Sequence, residues 1–195
     1  MQKILIRKPF IMVFAFSLIS YIVTLLLALF FQPARLANVF GYLALLAYIA
    51  TLLPSILKTV FPNTKGSKIL IFLIKNRRFI GITAFILASH HGLLMIVEEK
   101  INLLDAYSYV QYFQGITTLC IFTILAITSN DWSVKNLKKN WKNLHQLTYI
   151  AIFLLPWHLL DKMSNHWTYL TPFGILITFT TLFLFLKRKW MELVK

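Results

Sequence analysis

Continuous apolar runs alternate with short polar connections along the chain, at approximately Phe10–Phe31, Leu36–Leu57, Phe79–Val97, Tyr109–Thr128, Leu144–Leu160 and Thr168–Leu186. Most come close to the roughly 20 residues an α-helix needs to cross the hydrocarbon of a bilayer. The runs do not alternate residue by residue, which argues for helices and against the strands of a closed barrel. The pattern predicts an all-α integral membrane protein, a six-transmembrane-helix bundle whose fifth helix is the shortest. One bundle uses the whole of 1–195, so a single domain is expected. The first run follows basic residues as a secretory signal would, but at about 22 residues it exceeds a signal core, and no small-residue cleavage pattern follows. It is therefore expected to stay as a helix. The longest polar connection, Lys58–Arg78, holds Pro62-Asn63 and Gly66-Ser67 as turn signals, with a short apolar stretch, Ile69–Ile74, suited to the membrane surface.

Composition supports lipid as the solvent. At 58% hydrophobic residues and a mean hydropathy of +0.72, a soluble domain would have too little polar surface. The formal charge of +14 would point to nucleic acid in a soluble chain, yet its distribution has a simpler cause. Lys3, Arg7, Lys8, Lys58, Lys65, Lys68, Lys75, Arg77, Arg78, Lys135, Lys138, Lys139, Lys142, Lys187, Arg188, Lys189 and Lys195 all fall on one side of the predicted topology, 17 in number. Only Arg35, Lys100 and Lys162 fall on the other. The positive-inside rule then puts both termini in the cytoplasm and Glu98, Glu99, Asp105 and Asp161 on the outer face. Anionic lipid head groups account for the excess charge, so membrane lipid is the expected partner and nucleic acid is not. The single Cys120 excludes an internal disulfide and cannot by itself hold an iron–sulfur cluster or a c-type haem; it reads as a small buried residue.

Three histidines, His91, His145 and His158, lie within or at the ends of these runs, where an ionisable ring is a functional candidate by default. Neutral imidazole is a common iron ligand, and a porphyrin needs an apolar slot with such a ring facing its metal. The third and fifth predicted helices both run outward. His91 stands about 18 Å up the third and His158 about 21 Å up the fifth, at similar heights near the outer face. If those helices face each other, the two rings can ligate one iron from opposite sides. His145, thirteen positions before His158, belongs roughly 20 Å lower, near the cytoplasmic edge. An ideal helix would turn it about 140° from His158, and Pro156 is expected to bend that helix. At its level stand Arg77 and Arg78, which can hold haem propionates or a flavin phosphate through charge-assisted hydrogen bonds.

Plainer readings stand beside these. His91 and His158 could each bond a carbonyl of a neighbouring helix. His145, beside Trp141, Lys142 and Asn143, could be an interfacial helix-start residue. His90 points about 100° away from His91 and reads as a packing or lipid-interface residue. His166, near Trp167 and Tyr169, reads as part of an aromatic belt.

Two stretches carry a resemblance: Arg77-Arg78-Phe79-Ile80-Gly81 followed by Ala88-Ser89-His90-His91, and Trp141-Lys142-Asn143-Leu144-His145 followed by Leu155-Pro156-Trp157-His158. Between about Leu52 and Leu160 the chain resembles the ferric-reductase-like transmembrane family, and within it the MsrQ-like branch, haem-binding subunits of methionine-sulfoxide reductase systems. The resemblance implies a six-helix cytochrome b in the bacterial inner membrane, binding haem b and passing electrons across the bilayer. His91, His145 and His158 fall on the family's haem-ligand positions. Larger relatives carry two histidines on each ligand helix, whereas here the arginine pair occupies the position facing His145. The inner site is thus open to a second haem or to FMN, the latter implied by the resemblance alone, since no dinucleotide-binding fingerprint occurs.

The leading expectation is a conduit with partners on both faces. A cytoplasmic flavin reductase or membrane quinol would donate electrons, and a periplasmic or other extracytoplasmic reductase subunit, a methionine-sulfoxide reductase catalytic subunit in the MsrQ-like case, would accept them. A stand-alone ferric or metal reductase, with Glu98, Glu99 and Asp105 as weak oxygen ligands, is the alternative. From another class, a transporter could use the same histidines as a cofactor-free proton relay.

Overall fold

The computed structural model describes residues 19–24, 26, 27, 30, 32–163, 168 and 170–194. Among these the chain is helical, with no strand. The helices are α1 (Pro33–Val60), a 3-10 turn (Pro62–Gly66), α2 (Lys68–Lys75), α3 (Arg77–Glu98), α4 (Ala106–Gln111), α5 (Phe113–Ile127), α6 (Asp131–Leu137), α7 (Lys139–His145), α8 (Thr148–Met163) and α9 (Leu170–Leu193). The first apolar run lies mainly outside the described residues, as do His166, Trp167 and Tyr169.

Among the described residues, three helical stretches are long and apolar enough to cross a membrane, Ala34–Val60, Arg77–Glu98 and Leu170–Leu193. A fourth is reached if α5 and α6, which meet at a bend of 92°, form one broken span. These apolar helices make the chain an integral membrane protein. α8, 16 residues long, rises about 24 Å.

Five helices close a ring: α1 packs on α3, α3 on α5, α5 on α8, α8 on α9, and α9 back on α1. α3 and α8 therefore face each other across the ring rather than pack as neighbours. The contact of α1 with α3 is the most extensive of these. Leu45, Tyr48, Ile49, Leu52, Ile56 and Val60 of α1 recur at helical spacing and bury one stripe. They meet Ala84 of α3, Ile121 and Phe122 of α5, Ala151 and Ile152 of α8 and Phe185 of α9. This core fills the middle and the basic end of the ring. It leaves the opposite end open between the helices.

Two expectations change. The run Leu144–Leu160 is not one helix: α7 stops at His145, and a series of i→i+3 bonds leads into α8, Gln146 N–H to Asn143, Leu147 N–H to Leu144, Tyr149 N–H to Gln146 and Ile150 N–H to Leu147. The tighter winding redirects the chain. Two tethers fix the turn, since the Trp141 indole donates to the Thr128 carbonyl (2.9 Å) and Thr128 Oγ1 meets His145 Nε2 at 3.2 Å. Extrapolating height and angle from His158 to His145 along one ideal helix therefore does not apply. Pro156, by contrast, lies inside α8 without ending it. The second change is Cys120, which is exposed on α5 rather than buried. The helix turns its other face inward, with Gln114, Thr118, Ile121 and Phe122 buried.

α2 has the character expected of a surface helix, with Ile69, Ile71, Phe72 and Ile74 exposed and Leu70 buried. Lys68 and Lys75 bracket it. Such a helix rests at the interface with its apolar face toward acyl chains.

One polar bond ties α1 to the start of α8: the Tyr48 hydroxyl donates to the Thr148 carbonyl at 2.7 Å, and the Tyr48 ring packs on Phe122. Tyr48→Phe keeps the ring and removes the bond, so it should cost about 1 kcal/mol. Thermal unfolding in detergent should show a lowered Tm. An unchanged Tm would mean that this bond does not help to join the two helices.

Candidate functional site

At the open end of the ring lies a cavity of about 710 Å³, lined mainly by apolar side chains. It falls in the size range of cofactor and ligand sites, roughly 300–1,000 Å³. His91 enters it from α3 and His158 from α8. Their ring centroids are 6.3 Å apart, with ring planes at 81°. A metal–imidazole nitrogen bond is about 2.0–2.1 Å and the ring centre lies about 1.1 Å behind the nitrogen, so two axial imidazoles on one metal have centroids about 6.2–6.4 Å apart. The observed separation matches that arrangement.

The tautomer of His91 is set by its surroundings. Its Nδ1 lies 2.8 Å from the Ala37 carbonyl of α1, an acceptor only, so Nδ1 carries the proton and Nε2 keeps its lone pair. Metal-binding histidines commonly show this second bond, which orients the ring and raises its basicity. Two glycines border the rings, Gly41 of α1 beside His91 and Gly115 of α5 beside His158. Two imidazoles supply two ligands, and a porphyrin would supply the other four. The chemistry and spacing of the donor set fit a haem.

A second cavity, about 640 Å³, opens at the basic end. Lys75, Arg77, Arg78, Lys142, Arg188 and Lys189 line it together with Trp141, His145, Tyr48 and Tyr149, and no acidic side chain does. His145 stacks on Trp141, with centroids 4.0 Å apart. Burial, then the Arg77 guanidinium, then that of Arg78, push the His145 imidazole below its ordinary range and favour the neutral ring, against the opposing effect of its contact with Thr128. Arg78 forms an ion pair with Asp131 at 2.7 Å, and Glu192 pairs with Arg188 and Lys189 at 2.7 and 3.2 Å. The site suits a planar or phosphorylated anion, held by cations and flanked by aromatic faces. Phe122 lines both cavities, and with Tyr48 it forms the wall between them.

The sequence candidates thus divide into two groups. His91 and His158 come together in the first cavity, while His145, Arg77 and Arg78 come together in the second. His90 turns to the other side of α3, where it is buried against Tyr21 and Phe40; Nδ1 lies 2.6 Å from the Ile86 carbonyl and Nε2 lies 3.3 Å from Ser20 Oγ. It is a packing residue. Glu98 and Glu99 lie at the mouth of the first cavity, and among the described residues no three or more His, Cys, Asp or Glu side chains gather as a metal site.

Ala37, Gly41, Gly115 and Phe122 were not singled out by sequence reasoning. Two of them had a readable signal: Ala37 and Gly41 are small residues one helical turn apart, the spacing that lets membrane helices approach closely.

Residues 40–156 match the family described as "Ferric reductase like transmembrane component". Over 87 residues the chain is 36% identical to the protein-methionine-sulfoxide reductase heme-binding subunit MsrQ of Brucella ovis, and equally to those of Brucella canis and Brucella suis. Each match covers 42% of this chain and 40% of the relative, so the chain spans about two fifths of the length of these curated relatives. No solved structure matches it. With 117 of its 195 residues inside the family match, the chain belongs to the ferric-reductase-like transmembrane family.

Proposed function

We propose that the protein is a membrane b-type cytochrome that carries electrons from the basic end to the opposite face, and that His91 and His158 are the residues that would hold one haem. The observation that carries this reading is the 6.3 Å separation of the two imidazoles across an apolar cavity. A bound haem supplies the one-electron chemistry. The chain supplies the ligands, fixes the tautomer of His91 through Ala37, and surrounds the site with apolar side chains that exclude water. The names of the MsrQ relatives support haem as the cofactor and a methionine-sulfoxide reductase catalytic subunit as the acceptor.

The basic cavity is the entry side in this reading. Its cations attract an anionic donor or hold an anionic cofactor, such as FMN or a second haem, and His145 stands there as a neutral ligand candidate. A cytoplasmic flavin reductase or membrane quinol supplies the electrons. Phe122 borders both cavities and so offers an aromatic side chain between them. The 17 basic residues that fall on one side of the predicted topology support six spans with both termini in the cytoplasm of a bacterial inner-membrane protein. In that arrangement α5 and α8 are short spans within the ring.

Single substitutions test the ligand pair. With haem supplied during expression, His91→Ala and His158→Ala should each abolish the low-spin haem absorbance of the cavity, whereas His145→Ala should retain it. Loss with His145→Ala and retention in the other two would reverse the assignment. Entry at the basic end is tested by Arg77→Gln combined with Arg78→Gln. This variant should slow reduction by a flavin reductase by about tenfold or more, by analogy with the loss of supporting contacts at metal sites, while the haem spectrum stays unchanged. Equal reduction rates would remove the basic cavity from the path. Reporter fusions at both ends should give cytoplasmic signals, and an external signal at either end would contradict the topology.

A further inference from the structure

Two glycines stand against the histidine rings of the first cavity. In an α-helix each Cα–Cβ bond tilts toward the N-terminus, so the side chain at one position shields the carbonyl one turn earlier. On α1 that relation links Gly41 to Ala37, the residue whose carbonyl accepts from His91. With no side chain at Gly41, the imidazole of α3 reaches that carbonyl at 2.8 Å. A Cβ at Gly41 would stand 2.9 Å from His91 Nδ1, closer than packed atoms tolerate, and 3.1 Å from Cε1 and 3.2 Å from Cγ, both tight. The ring would have to turn about its Cβ–Cγ bond or withdraw, and either movement alters the bond to Ala37. Across the cavity, a Cβ at Gly115 would stand 3.1 Å from His158 Cε1 and 3.5 Å from Nδ1, a milder conflict that a small displacement relieves.

We infer that Gly41, and less strongly Gly115, are positioning residues that hold the facing imidazoles of His91 and His158 in nearly perpendicular planes. The 81° angle between the rings is the geometry they maintain. The inference rests on the proposed haem ligation, and it adds a specific electronic consequence. Two parallel axial imidazoles direct their π orbitals at the same iron d orbital and split the dxz and dyz pair. Perpendicular planes act on one orbital each and leave the pair nearly degenerate, which gives a ferric low-spin EPR signal of unusually large anisotropy.

The test uses the full chain in detergent or nanodiscs with haem incorporated. EPR of the wild-type ferric protein should show the highly anisotropic low-spin signal. Gly41→Ala should shift it toward the ordinary rhombic form and move the midpoint potential. Gly115→Ala should shift it less. Gly81→Ala serves as the control, because it lies on α3, the helix that carries His91, and a Cβ there meets only Thr51 Cγ2 at 3.9 Å, an ordinary contact; its signal should match the wild type. If Gly41→Ala fails to retain haem, Gly115→Ala decides: a shifted signal supports the inference and a wild-type signal overturns it. A wild-type signal in haem-bearing Gly41→Ala, an ordinary rhombic signal in the unmodified protein, or an equal shift in Gly81→Ala would each overturn it. A wild-type chain that binds no low-spin haem would instead defeat the ligation itself.

Discussion

An imidazole inside an apolar helical bundle must satisfy one ring nitrogen and leave the other available if it is to bind a metal. His91 meets both demands through one hydrogen bond, from Nδ1 to the Ala37 carbonyl of the adjacent helix. Much of the site follows from that contact. It requires α1 and α3 to lie close together, and theirs is the most extensive packing in the ring. It also requires an accessible carbonyl on α1, which Gly41 provides. Fixed in this way, the ring keeps Nε2 unprotonated beside a cavity that His158 also lines, with the two ring centroids 6.3 Å apart.

The closed ring of helices separates two chemical environments. At one end an apolar cavity with two facing imidazoles favours a neutral, planar macrocycle; at the other, six cationic side chains and an aromatic wall favour anions. The core built on Leu52, Ile56 and Ile152 lies with Tyr48 and Phe122 in the same packed layer. That layer keeps the two cavities distinct while leaving aromatic side chains between them. Carriers spaced across the bilayer need both features: exclusion of water and a short distance between sites.

The long spans were legible because hydropathy needs only composition over about 20 residues. α1 and α3 therefore lie where the apolar runs lie, extended by a few residues at their ends, while α9 begins at Leu170 rather than Thr168 and continues past Leu186 to Leu193. Counting residues along two parallel helices also placed His91 and His158 at similar heights, and their rings do face each other. The break after His145 was not legible, because Leu144 to Leu160 is apolar throughout and the turn is set by tertiary bonds from Trp141 and His145 to Thr128. Cys120 was misread because it was judged by residue type alone, whereas Gln114 and Thr118, spaced one helical turn apart, mark the inward face of α5 and leave Cys120 on the other side. Gly115 went unnoticed because a glycine acquires its role only when the ring that fills its groove is known; at Gly41 the small-residue spacing with Ala37 marks a close helix approach but not the ring that uses it.

Near-infrared magnetic circular dichroism of the ferric protein tests the central claim most directly, since its charge-transfer band identifies the axial ligands of a low-spin haem. The band expected from the His91 and His158 geometry is that of two imidazole nitrogens on one iron. A band characteristic of a sulfur ligand, or a high-spin signature of a five-coordinate iron, would contradict the account.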